Sequence, residues 1–191
     1  MSHYIRFFKP FEVLCQFTDQ MGRQTLKDYI RVPRVYPAGR LDFLSEGLLI
    51  LTDDGSLVRR ITDPSFEHPK TYFVQVEGQL SDQALQTMRA TILLPGLQTR
   101  LIQVDIIPEP DIPPRSKPVR AYHPKTWLKM TLSEGKKHQI RRMTAAVGFP
   151  TLRLVRVAIG KVTLDGLQPG AWEDLNRREI NDLMKGDQPR S

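Results

Sequence analysis

Three short stretches of this chain hold side chains that could do chemistry. The first is Gly39-Arg40-Leu41-Asp42. A carboxylate in a glycine-preceded turn, just ahead of an apolar run, would sit at the edge of a rigid sheet, a good mount for a reactive group. Aspartates also cap turns with their own side chains, and the local sequence alone favours that plainer role. The second stretch is Glu134-Gly-Lys-Lys-His-Gln-Ile-Arg-Arg-Met143. It gathers Lys136, Lys137, His138, Arg141 and Arg142 at the opening of a helix predicted over residues 136–147. Cations are unfavourable at a helix N-terminus because of the macrodipole. A phosphate is favoured there, and added cations would strengthen such a site. A solvated basic face explains the same residues equally well. The third stretch is Lys70-Thr71-Tyr72, at the start of a predicted strand. Its tyrosine could stack on a nucleobase, worth about 1–3 kcal/mol per base in single-strand binders. It could equally be a core or edge tyrosine. Arg153 and Arg156 continue the basic character, with no clean alternation to say which face each takes.

Other chemistries find little support. The histidines His3, His68, His123 and His138 show no ligand spacing, and Cys15 has no CxxC partner. No phosphate-binding glycine loop, dinucleotide fingerprint or nucleophile elbow occurs. Chemistry without metal and without cofactor is the economical reading. A glycosidase needs two opposed carboxylates, and only Glu46 offers itself as a partner for Asp42, without independent support.

The elements that must position these residues can be placed coarsely. Residues 7–17 mix aromatic and β-branched residues around a proline and predict a short strand entering a turn. Residues 25–30 predict one or two helical turns. Leu48 to Thr52 reads as a buried strand. Asp54 or Ser56 then caps a helix through Leu57, Val58 and Ile61. Residues 71–77 predict a strand ended by Gly78, and Ser81 an N-cap for a helix over 82–89. Strands follow at 101–107 and 126–132. Between them, residues 108–125 form a long proline-rich loop carrying Arg115, Lys117, Arg120 and Lys125, and such loops are often functional. Residues 151–164 predict one or two strands, and 172–184 a final helix. Strands outnumber helices, which points to an α+β domain around a mixed or antiparallel sheet.

The 191 residues fit one domain or one domain with a small appendage. At 40% hydrophobic, the chain can bury a sizeable core, which excludes wholesale disorder. No apolar run approaches the roughly 20 residues that span a bilayer, and the N-terminus is too polar for a secretory signal. With a single cysteine, the cytoplasm is the expected compartment. A net charge of +7 suits capture of phosphate backbones, but many basic proteins bind no nucleic acid, so charge alone does not decide.

Taken in order, these segments resemble the pseudouridine synthase superfamily, in the branch that modifies small- and large-subunit rRNA. Gly39-Arg-Leu-Asp42 is followed by Ser45-Glu-Gly-Leu-Leu-Ile-Leu-Thr-Asp-Asp-Gly55 and by Lys70-x-Tyr72-x-Val-x-Val-x-Gly78. Glu134 to Met143 and Gly148-Phe-Pro-Thr-Leu-Arg-Leu-Val-Arg156 complete the set. The order and spacing agree over residues 5–175. Each piece is moderately specific, and the ordered set is highly specific. Gln16-Phe-Thr-Asp19 and Val35-Tyr-Pro-Ala-Gly39 are most similar to the E-type subgroup, which acts on 23S rRNA. Phe43 and Leu44 depart from the pattern, standing where polar residues are expected.

The resemblance implies an α+β catalytic domain with a central, mainly antiparallel sheet and a cleft across it. Residues 1–185 would form that domain, without the N-terminal S4-type domain of many relatives, and 186–191 a flexible tail. It implies isomerisation of uridine to its C-glycoside with no cofactor, on ribosomal RNA; a monomer is the default expectation for the chain. Asp42 would attack the sugar or abstract a proton from it. Arg141 would pair with Asp42 in bidentate fashion, offsetting the cost of burying a carboxylate. Tyr72 would pack on the flipped uracil and help remove the C5 proton. Arg40 would hold RNA or fill the vacated stack. Lys70, Lys136, Lys137, His138, Arg142, Arg153 and Arg156 are the expected RNA contacts.

Overall fold

The computed structural model describes residues 2–90, 93–94, 97–98, 101–119 and 124–186. Its strands are β1 (Tyr4–Lys9), β2 (Tyr36–Pro37), β3 (Glu46–Thr52), β4 (Lys70–Glu77), β5 (Leu93–Leu94), β6 (Leu97–Gln98), β7 (Leu101–Ile107), β8 (Lys125–Leu132), β9 (Thr151–Ile159), β10 (Val162–Thr163) and β11 (Trp172–Asp174). Its helices are α1 (Gly55–Thr62), α2 (Asp82–Arg89), α3 (Gln139–Ala146) and α4 (Arg177–Lys185). The main sheet runs β11-β1-β3-β9-β4-β8-β7, with β2 on β3 and β10 on β9. The β3–β9 contact is parallel and the others are antiparallel. The expected α+β class with a mixed, mainly antiparallel sheet is therefore what forms.

β3 is buried along its whole length, as an apolar strand covered on both faces must be. Its alternate residues feed two cores. Leu49 and Leu51 join Val74, Met130, Ile140 and Met143 on the front. Leu48 and Ile50 join Leu57, Ile61, Val155 and Leu183 on the back. So α2 and α3 cover one face, and α1 and α4 the other. Gly47 permits the parallel junction. It sits at φ +110°, and a Cβ there would lie 2.2 Å from the Arg156 carbonyl oxygen. Only glycine lets the two backbones approach this closely.

The helix starts follow their capping residues. Asp54 accepts from the backbone N–H of Ser56 at 2.8 Å, and Ser81 from Ala84 at 3.2 Å. Asn176 and Glu179 form a capping box. Two expectations change. The helix expected over 136–147 begins only at Gln139, because His138 adopts a left-handed conformation at φ 53°. The helix expected over 172–184 splits, and its first residues become β11, which extends the sheet along β1. Among the described residues no helix is long and apolar enough to cross a membrane. Arg120, His123 and the tail 187–191 lie outside the described residues.

Candidate active site

Asp42 is set by the short path between β2 and β3. β2 pairs with the far end of β3, Tyr36 opposite Thr52, so the chain must return along β3 before re-entering it. It does so through a turn closed by the Ser45 N–H donating to the Asp42 carbonyl at 3.0 Å. Leu41 anchors the turn in the front core, and the Phe43 carbonyl accepts from the Glu12 N–H at 2.9 Å. The plainer reading is therefore half right. Asp42 belongs to a turn, yet among the described residues its carboxylate caps no backbone N–H. That side chain is 40% exposed and lies 3.4 Å from Nε2 of His138.

The segment before α3 faces this turn. Gln139 is buried; its amide donates to Glu134 at 2.7 Å and accepts from the Lys136 N–H at 3.1 Å. This clamp and the left-handed His138 turn the segment toward Asp42. Lys136, Lys137 and His138 are thus loop residues ahead of the helix, not its first turn. Ile140 enters the core. Arg141 departs from expectation. Its guanidinium donates to the Leu44 carbonyl at 2.7 Å and to the Thr151 carbonyl at 3.4 Å. It makes no ion pair with Asp42 within 4.0 Å. The physical reason is that Leu44 and Thr151 offer fixed carbonyls from two elements, and a planar fork suits both. Arg141 still feels the Asp42 charge, which opposes the lowering of its pKa by burial.

The opposite wall comes from β4 and β9. Tyr72 is buried, 7% exposed, and stands directly across from Arg156. Arg156 is 3% exposed, and its Nε–H donates to the Leu48 carbonyl at 2.8 Å. Lys70, two residues before Tyr72 on the same face, donates to the His68 carbonyl at 3.1 Å. Burial pushes the Lys70 ammonium down to about 8, and the charge of Arg156 adds to this. Beneath them, Lys9 is fully buried and donates to the carbonyls of Pro10 and Val13 at 2.9 and 2.7 Å. Burial also lowers Lys9 to about 8, against the pull of Cys15, Glu46 and Asp42.

These walls enclose a cavity of about 770 Å³. Asp42, Tyr72, Lys70 and Arg156 line it, and Arg40, Lys136, Lys137 and His138 form its more exposed side. Arg142 is exposed on α3 and does not line it, and Arg141 stands behind the Asp42 turn. Arg153 lies elsewhere altogether. It faces the back of the sheet, where its guanidinium grips Glu46 through Nε at 3.0 Å and Nη2 at 2.9 Å, both side chains buried. Its expected contact with RNA is replaced by this ion pair. The same pair removes Glu46 as a second carboxylate opposite Asp42. Among the described residues no group of three or more His, Cys, Asp or Glu side chains could hold a metal.

Comparison with known proteins decides the family. The chain matches the RNA pseudouridylate synthase family over residues 3–146. It belongs to that family of enzymes. It is 52% identical over 166 residues to the ribosomal large subunit pseudouridine synthase E of Xanthomonas axonopodis pv. citri, covering 84% of this chain and 87% of that protein. It is 50% identical over 174 residues to the protein of the same name from Vibrio vulnificus, covering 90% and 74%. A crystal structure of a pseudouridylate synthase, 30% identical, superposes with a TM-score of 0.79 over 96% of this chain and 74% of that one. For an RNA pseudouridine synthase, the residue that sequence reasoning missed is Lys9. A lysine at a strand end next to Pro10 reads as a solvent-facing edge residue, and only the tertiary fold shows it sealed beneath the pocket.

Proposed function

We propose that this chain isomerises a uridine of ribosomal RNA, in the 23S molecule, with Asp42 as the group that attacks the sugar or abstracts a proton from it. One observation carries the reading: the Asp42 carboxylate is free of its own turn and stands in the same cavity as Tyr72, Lys70 and Arg156. A pure RNA-binding surface has no use for an anion aimed at a polyanion. Tyr72 would pack on the uracil, which has to leave its stack to enter a pocket. Arg40, Lys136, Lys137 and His138 would meet phosphates at the exposed side, where screened, mobile cations suit a backbone contact. Arg142 is an outer contact of the same kind. Arg141 would act on Asp42 through the Leu44 carbonyl, by holding the turn. The names of the relatives support ribosomal RNA of the large subunit as the substrate. We read residues 1–185 as one catalytic unit, acting as a monomer in the cytoplasm and needing no cofactor.

The test has two arms. Pseudouridines are mapped in total RNA from cells with and without the gene, and one or more 23S positions should revert to uridine. In vitro, Asp42→Asn should abolish isomerisation while RNA affinity stays within about threefold, because the change removes a charge that only the chemistry needs. Product formation by that variant would sink the role given to Asp42.

A further inference from the structure

Arg156 is buried in a way that a structural role does not explain. The residue is 3% exposed, and among the described residues its guanidinium forms no ion pair within 4.0 Å. Its one hydrogen bond among the described residues goes from Nε to the Leu48 carbonyl. Nη2 is buried with no hydrogen-bond partner among the described residues. Arginine stays charged in proteins, and an uncompensated buried charge is strongly unfavourable. A trapped water could accept one N–H, but it would leave the charge in place. The fold nevertheless fixes the backbone of this residue closely. Gly47 brings β3 against the Arg156 backbone. β4 pairs with it at Tyr72. The register skips Val157 at this point, Thr71 facing Ala158 and Tyr72 facing Arg156, and such a bulge re-aims the neighbouring side chains.

We infer that Arg156, seconded by Lys70, takes up the negative charge of the uracil by donating to one of its carbonyl oxygens. This rests on the reading of Asp42 given above and deepens it. The base is favoured over a phosphate by position. The phosphate-seeking cations Arg40, Lys136 and Lys137 are exposed, whereas Arg156 lies in the cavity wall directly across from Tyr72, the ring on which the base would pack. When the C1′–N1 bond breaks, its electron pair leaves on N1 and spreads to the carbonyl oxygens. That holds whether Asp42 attacks the sugar or abstracts its proton. After rotation, C5 supplies the pair that forms the new bond to C1′, as the C1′–O bond to Asp42 breaks in the first route or as C2′ takes its proton back from Asp42 in the second. C5 then loses its proton and N1 gains one, so no atom is lost overall. A fixed donor at an oxygen that gains charge only in this step is stronger in the transition state than in the ground state.

The test uses a short RNA spanning the uridine mapped by gene deletion, made with uridine or with 5-fluorouridine at that position. Fluorine makes the departing base a better anion by itself. Consumption of the parent nucleoside is followed under single-turnover conditions by chromatography of the digested RNA. Arg156→Lys should slow the uridine substrate about 100-fold, in the range for loss of one oxyanion donor. The fluorinated substrate should slow clearly less, about tenfold, with RNA affinity within about threefold in both cases. Lys70→Met leaves Arg156 and its Leu48 contact in place and should show the same asymmetry at smaller size; it carries the test if the Arg156 variant does not fold. Equal slowing of both substrates, or a loss that lies in affinity, overturns the inference and makes Arg156 a structural or phosphate contact. If gene deletion restores no uridine, the reading of the site falls first and this inference falls with it.

Discussion

Replacing Arg153 by methionine separates a structural arginine from the RNA contact that its sequence suggests. The change leaves the Glu46 carboxylate buried, 3% exposed at its side chain, with its bidentate partner removed. Breaking a buried pair by deleting one member costs about 3–5 kcal/mol, because the remaining ion is uncompensated. The bond from Arg153 Nη2 to the Pro113 carbonyl, 2.7 Å long, is lost as well. For a chain of this size a loss of 1 kcal/mol lowers the melting temperature by roughly 2–4 °C. The expected fall is therefore about 6–20 °C. Removing both charges together, as Glu46→Met with Arg153→Met, should recover most of it, since two apolar side chains of similar length leave no orphan ion.

Two measurements check this. Urea unfolding of the wild type, both single variants and the double variant gives the coupling energy, expected to exceed about 2 kcal/mol. RNA binding across a range of salt concentrations gives the number of phosphate contacts, each adding roughly 0.7 to the slope on single-stranded RNA. Measured below its melting transition, Arg153→Met should keep the wild-type slope. A variant with wild-type stability and a slope lowered by about 0.7 would refute the reasoning and return Arg153 to the RNA interface.

The remaining expectations concern the pocket. Gly47→Ala places a Cβ 2.2 Å from the Arg156 carbonyl oxygen at φ +110°; strain and overlap together should cost roughly 2–6 kcal/mol in urea unfolding, and a neutral result would mean that β3 and β9 can part. Arg141→Lys cannot reach the Leu44 and Thr151 carbonyls at once, so kcat should fall about 100-fold by displacement of the Asp42 turn with little change in RNA affinity; equal losses would make Arg141 a plain RNA contact. Lys70 is lowered to about 8, so it is fully charged below that pH and neutral above it. Activity should therefore decline as pH rises through about 8, and Lys70→Arg, charged throughout, should hold its activity at pH 9; superposable profiles would exclude Lys70 as the source.

Much of the fold was legible because local rules and tertiary packing agree. β3 and β4 are apolar runs bounded by glycine or aspartate, and α1 and α2 begin at Asp54 and Ser81, as their capping chemistry requires. The misses share one cause, a conformation or a partner distant in sequence. Nothing in the residue types announces a left-handed His138, so α3 begins three residues later than its spacing predicts. β11 is three residues long and exists only because β1 offers it an edge. Arg153 and Arg156 look alike in sequence, yet an odd spacing of three puts them on opposite faces of β9, one beside Glu46 and one beside Tyr72. Asp42 and Tyr72, singled out by the order of motifs, line one cavity. The partner of Arg141 was not legible, since the Leu44 carbonyl is a backbone group brought near by a turn.

The placement of charge around Asp42 links these observations. Glu46 is already neutralised by Arg153 on the back of the sheet. In front, Lys9, Lys70, Arg141 and Arg156 are all wholly or partly buried around the cavity that holds Asp42, with Glu46 the other carboxylate whose charge reaches Lys9 and Arg141. Each donates to main-chain carbonyls, which satisfies hydrogen bonds without supplying negative charge. Burial lowers Lys9, Lys70 and Arg141, the response of cations lacking a sufficient counter-charge. Folding alone would not select this arrangement, because apolar side chains of similar size would pack there at lower cost. It becomes favourable when an anion enters the cavity. On the proposed reading RNA would supply phosphates at the exposed side, and a departing uracil would supply charge at the Tyr72 wall only while its glycosidic bond is broken. The fold thus holds a polarity in reserve for the reacting state, at the expense of the empty one.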